Sequence, residues 1–206
     1  GLALTGVTSY YVSHSPALLQ VFFGNPIMPL VFFIGLIFLC GFLSARVHKM
    51  QASTATGLYT LLTVVYGMAL APIFLMYTAS SIATTFFIAS ATFISASLFG
   101  MLTKKDLTGM GQFLMMGLWG LFIAIIINWF VGSTAMETII SCIAVIIFTG
   151  LSAYDTQKLK QMAVTLPDDA SGAMVRKGAI MGALTLYLDF MGLFVWLLHL
   201  LGVSRD

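Results

Sequence analysis

Two acidic residues stand where a very apolar chain offers almost no other charge. Asp155 lies in TGLSAYDTQKLK, 149–160, and Asp189 in LTLYLDFMGLF, 184–194; eleven residues before Asp189 and fifteen after it are free of Asp, Glu, Lys and Arg. A lone ionised carboxylate near the bilayer centre costs at least ~2.5–3.5 kcal/mol, so by default it marks an ion pathway, a proton relay or a ligand site. Should the two side chains share one apolar site, both cannot ionise cheaply: one proton is retained and the pair titrates as a unit. Loss of that proton leaves mutual repulsion or a strong site for a cation. Calcium takes about six to eight oxygen ligands, so two carboxylates offer it transient contacts and not a closed site. A structural alternative stays open, in which each aspartate is capped or bonded to its neighbouring tyrosine, Tyr154 or Tyr187.

Other polar residues have simpler expected roles. Arg46 and Lys49 follow an apolar stretch and are expected to end its helix at the inner interface, with Arg46 also a candidate latch partner that turns inward to an aspartate. Lys104, Lys105 and Asp106 read as a tight inner turn, and Glu137 as a cap near the outer surface. His199 is a candidate secondary polar site, either interfacial at the outer end or part of a relay. Cys40 and Cys142 lack any paired metal spacing and are expected as small buried side chains.

Enzymatic motifs are absent: no GxGxxG, phosphate loop, HExxH or GxSxG occurs. An intramembrane aspartyl protease needs two aspartates on neighbouring helices, which Asp155 and Asp189 superficially supply. Their contexts, YDTQ and YLDFMG, do not match the GxGD setting of that class. A non-enzymatic protein without a cofactor is expected.

These residues must be positioned by elements suited to lipid. Of 206 residues, 60% are hydrophobic and 8% charged, where soluble domains carry about 25% charge. Nine basic and seven acidic side chains cannot clothe a domain of this size in water. Disorder is excluded by the same composition, and a formal charge of +2 with no basic stripe excludes nucleic-acid binding. No Asp, Glu, Lys or Arg precedes Arg46, none lies between Lys49 and Lys104, and only Glu137 lies between Asp106 and Asp155. A spanning helix needs about 20 apolar residues. Stretches such as 30–45 and 118–130 are apolar on every face, which excludes the alternating pattern of a membrane barrel.

Polar, Gly and Pro breaks predict seven helical segments near 1–12, 27–45, 54–77, 82–102, 110–131, 135–157 and 177–201, within a single transmembrane domain, 1–206. The first is too short to span and reads as the tail of a helix that begins outside this chain. With the N-terminus inside, eight of nine basic residues fall on the inner side and only Arg205 outside, which predicts a cytoplasmic N-terminus and an external C-terminus in a multi-pass cell inner membrane protein. Small residues predict close packing of the fourth segment and of the seventh, which opens with Gly178 and Gly182, as buried bundle helices. Pro72 predicts a kink in the third. On depth alone the two aspartates match only approximately, Asp155 lying near the inner end of its segment and Asp189 about 12 residues, or roughly 18 Å, into its own.

Five stretches carry a family resemblance: GLALTGVTSYYV at 1–12, the Pro72-bearing segment, MLTKKDLTGMGQFL at 101–114, GLSAYDTQKLK and LYLDFMGLF. In these the chain resembles a bacterial member of the Bax inhibitor motif (TMBIM) family. The resemblance implies a seven-transmembrane helix bundle, all-α, with the seventh helix central. It also implies a pH-sensitive calcium leak channel gated by a coupled transmembrane aspartate pair. By motif that pair resembles Asp155 and Asp189, and a basic residue ending the second helix resembles Arg46. Where a basic side chain, often Arg, stands ten residues beyond the seventh-helix aspartate, this chain has His199, so a latch there becomes titratable or is lost. The second helix holds no acidic residue that could meet Arg46. The alternative function is a non-channel regulatory or interaction protein that acts through a membrane protease, a quality-control partner or another membrane protein.

Overall fold

The computed structural model describes residues 1–25, 27–46, 50–165 and 172–204. The described residues form nine α-helices: α1 Leu2–Ser13, α2 Pro16–Phe23, α3 Met28–Arg46, α4 Ala52–Ala69, α5 Ile73–Met76, α6 Ala79–Leu102, α7 Thr108–Val131, α8 Thr134–Val164 and α9 Gly172–Leu201. Five stretches, Ala52–Met76 and α6 to α9, are long and apolar enough to cross a bilayer. Their outward faces carry residues such as Phe87, Trp129 and Phe130, which are 72%, 76% and 82% exposed. Water would not tolerate such a surface; lipid tails solvate it. The chain is an all-α, multi-pass membrane helix bundle. Lys49 and Arg205, expected at the inner flank and the outer tail, lie outside the described residues.

Contacts divide the chain into two compact units, Gly1–Ala79 with Asp169–Leu184 and Ser204–Asp206, and Ser80–Asp168 with Thr185–Val203. In the first, α1 packs on α4 through small side chains. Thr5 Oγ1 donates to the Thr63 carbonyl at 3.0 Å, and a Cβ at Gly67 would stand 2.6 Å from the Thr5 carbonyl oxygen. Close backbone approach of this kind replaces hydrophobic attraction between helices in lipid. The kink expected at Pro72 is sharper than a kink. The helix ends at Ala69, turns through Leu70–Pro72 and restarts as α5, because proline lacks the N–H that an unbroken helix needs. The short helix α2, with Pro16 at its first position, was not among the predicted segments.

In the second unit α8 is the common neighbour. A Cβ at Gly100 of α6 would lie 2.1 Å from the Ala153 carbonyl oxygen, and one at Gly111 of α7 would lie 2.6 Å from the Tyr154 ring. One at Gly192 of α9 would lie 2.3 Å from the Phe148 ring. Leu114, Leu121, Ile140, Ala144, Ile147 and Leu151 form the apolar core between α7 and α8, with Trp196 of α9 against it. Between α7 and α8, Gly132 takes φ +65, and Ser133 caps α8 by accepting from the Met136 N–H.

Several expectations need correction. The small residues of α6 do not make it a buried helix. Thr85, Ala89, Ala96 and Gly100 are buried along one stripe, while Phe87, Leu98, Phe99 and Leu102 face outward. Among the described residues nothing lies within 4 Å of a Cβ at Gly178, so none of them makes the close packing expected there. Cys142 is exposed, on the outward face of α8. Helix α8 runs to Val164 and α9 begins at Gly172, so Lys158, Lys160, Arg176 and Lys177 stand on helices and not in the connection. Charged residues are good helix formers, and a polar end to a span does not end the helix.

Candidate functional site

Helix α8 presents Asp155 from a polar stripe whose hydroxyls are occupied locally. Thr149 donates to the Val145 carbonyl, Ser152 to Phe148 and Thr156 to Ser152, each at 2.7 Å. These back-bonds within one helix leave the carboxyl of Asp155 as the group turned outward from the stripe. The antiparallel segment of α9 presents Asp189, which is buried at 5% exposure. The structure brings the two carboxyl groups close enough for each to act on the other's charge. Two further contacts mark the same antiparallel course, Phe148 against Gly192 and Glu137 with His199. The depth mismatch expected from residue counts did not prevent the meeting, because α8 continues nine residues past Asp155 to Val164.

The surroundings of the pair are asymmetric. Asp155 is half-buried, and the ammonium of Lys158, which also lies 5.9 Å from the Tyr154 ring centroid, acts on its charge. Asp189 adjoins Phe190, whose ring meets Phe86 at 5.5 Å and Phe93 at 5.6 Å in an aromatic cluster between α6 and α9. Asp189 Oδ2 is buried without a hydrogen-bond partner among the described residues. An orphaned buried oxygen is costly, and native proteins rarely keep one without a role. Tyr154 is spent on packing: its ring covers Gly111.

Sequence reasoning missed Gln157, two residues beyond Asp155. Its side chain is buried and holds the α6–α7 turn at two points, Nε2 donating to the Lys105 carbonyl at 2.8 Å and Oε1 accepting from the Leu107 N–H at 2.9 Å. Lys160 adds a bond from Nζ to the Met101 carbonyl at 2.7 Å, at the end of α6. The turn also braces itself: Asp106 Oδ1 accepts from both the N–H and the hydroxyl of Thr108, which holds this exposed carboxyl below its ordinary range. The only clue in the sequence was an uncharged amide inside the polar end of a span. Gln157→Leu should cost about 1–3 kcal/mol by stranding both backbone groups. Gln157→Glu, which keeps the acceptor toward Leu107 and loses the donor, should cost less. Thermal unfolding in detergent checks the order.

The remaining candidates stand elsewhere. Arg46, in the first unit, is exposed with its guanidinium over the Phe42 ring at 5.4 Å. His199 is exposed at the end of α9 and pairs through Nε2 with Glu137 Oε1. Glu137 therefore does not cap α8, since Ser133 already fills that position; its carboxylate lies in the first turn, where the helix dipole favours it. Among the described residues no cluster of three or more His, Cys, Asp or Glu has the arrangement of a metal site.

The family described as "Inhibitor of apoptosis-promoting Bax1" matches this chain over residues 1–206. The chain is 40% identical over 205 residues to the "Inner membrane protein YbhL" of Escherichia coli strain K12, covering 100% of this chain and 87% of that protein. It is 42% identical over 209 residues to the protein RP147 of Rickettsia prowazekii, covering 100% of this chain and 85% of the relative. A protein of Borreliella burgdorferi is 37% identical over 206 residues, with 100% and 88% covered. With a match from end to end and relatives well above 30% identity, the chain belongs to the Bax1-inhibitor (Bax inhibitor motif) family, whose members are not catalytic enzymes.

Proposed function

We propose that residues 1–206 form a single transmembrane domain of the inner membrane, a pH-sensitive leak channel for calcium gated by Asp155 and Asp189. The observation that carries this reading is the close approach of the two carboxyl groups, one from α8 and one from α9, in apolar surroundings. Two carboxyl groups can hydrogen-bond only while one of them holds a proton. Gain or loss of that proton therefore changes what joins the two helices, and the pair acts as one titrating unit. The unpartnered Asp189 Oδ2 supports a path for cations or protons past this point, with calcium touching the two aspartates transiently.

Seven spans are reached by counting α1 and α3 with the five stretches of sufficient length. The central place of α9 is supported by its burial, half of its most apolar window against 11–28% for the other four. Arg46 at the end of α3, the α6–α7 turn, the end of α8 and the start of α9 carry the basic residues, which supports a cytoplasmic N-terminus and an external C-terminus. The name of the Escherichia coli relative supports the inner membrane.

Calcium flux in proteoliposomes tests the reading. Purified protein should pass calcium above the level of empty vesicles, at a rate that changes with pH. Flux equal to that of empty vesicles throughout would contradict it and favour a regulatory protein bound to a membrane protease or quality-control partner.

A further inference from the structure

A second polar feature lies at the other end of the α8–α9 pair. A recess of about 480 Å³ opens where α7 and α9 end and α8 begins, lined by Asn128, Trp129, Glu137, Trp196 and His199 among apolar neighbours. Its electrostatics are negative while the His199 imidazole is uncharged. Glu137 supplies a full negative charge, and its second carboxylate oxygen is left over from the bond to His199. α7 ends at the recess, its C-cap Gly132 in the lining, and brings the partially negative end of that helix there. The single N-terminus there, that of α8, is already capped by Ser133 and faced by Glu137 in its first turn. Two indole rings complete the wall, and indole faces attract cations. No residue of the recess belongs to the aspartate pair.

We propose that this recess is a weak cation-binding antechamber, with the Glu137 carboxylate as its anchor and His199 as the group that orients it. His199 donates from Nε2 to Glu137, which fixes the carboxylate against the recess and spares one oxygen for the ion. The amide oxygen of Asn128 already accepts from the Ser133 N–H at 3.2 Å and still has a free lone pair. A single carboxylate with few supporting oxygens suits loose, hydrated binding of a hard divalent ion and not a closed site. In the orientation proposed above, the antechamber opens on the external side, where it raises the local concentration of cations before they enter the membrane.

Terbium, a luminescent stand-in for calcium, tests this with the full chain in nanodiscs. Trp129 and Trp196 are placed to sensitise its emission. Wild type should show tryptophan-sensitised emission that excess calcium displaces. Glu137→Gln keeps a hydrogen bond to His199 and should weaken binding about tenfold. His199→Gln, still able to donate to Glu137, should retain emission, whereas His199→Arg, which neutralises the recess permanently, should lose it. Sensitised emission reports the recess and calcium flux reports the gate, so the two readings fail separately. Emission unchanged in Glu137→Gln or in His199→Arg would overturn it.

Discussion

Calcium flux through Asp155→Asn or Asp189→Asn protein should lose its pH dependence, the ratio between acidic and alkaline conditions falling from on the order of tenfold to within about twofold. Asparagine is the right substitution because its amide can still donate to the partner carboxylate. Contact between α8 and α9 is kept while the shared proton is removed as a variable. A structural role for the contact alone would leave the pH profile of the variants intact. The double variant should behave like either single one, since two members of one titrating unit do not contribute independently. Asp189→Leu gives a complementary result. Removing the Asp189 carboxyl altogether, its buried Oδ2 included, should also abolish the pH response. Reconstituted flux over a pH series, with melting measured in the same detergent, separates loss of response from loss of fold.

The largest expected loss of stability comes from Gly100→Val. A Cβ there meets the backbone oxygen of Ala153 at 2.1 Å, and backbone has no rotamer by which to yield. α6 must then move away from α8, disturbing the packed Ala96, Leu107 and Ala153 and the turn that Gln157 holds. Overpacking of this kind costs about 1–3 kcal/mol, and at a helix crossing without room to relax it belongs at or above the upper end. Gly120→Ala on α7 is the internal comparison, because nothing lies within 4 Å of its added Cβ. Trading glycine for alanine in an open helical position should instead stabilise by up to about 1 kcal/mol. Opposite shifts in melting temperature from two Gly substitutions on adjacent helices would support the crossing; equal shifts would not.

The sequence reveals the aspartates and hides their setting for a single physical reason. Asp155 and Asp189 are legible because charge in lipid is expensive, so each one left in a span stands out against its neighbours. Apolar length likewise indicates helices, since every backbone group in the bilayer must be satisfied within the chain. Helix ends are less legible: Lys158, Lys160, Arg176 and Lys177 look like a loop and yet extend α8 and α9, because long basic side chains reach polar surroundings without unwinding the backbone. Burial is less legible still. In lipid the outward face of a helix is as apolar as its packed face, so the small residues of α6 mark a stripe and could not say that the rest of the helix faces outward. Gln157 shows the limit for polar residues, since an uncharged amide gives no sign of its partners until the α6–α7 turn is in place.

Infrared titration of the reconstituted protein bears most directly on the proton shared by Asp155 and Asp189. Wild type should show a protonated-carboxyl band whose intensity changes over the same pH interval in which calcium flux changes. Asp155→Asn and Asp189→Asn should each remove that change. A flux transition with no accompanying change in a protonated-carboxyl band, or a band that titrates unaltered in both variants, would contradict a gate built on this pair.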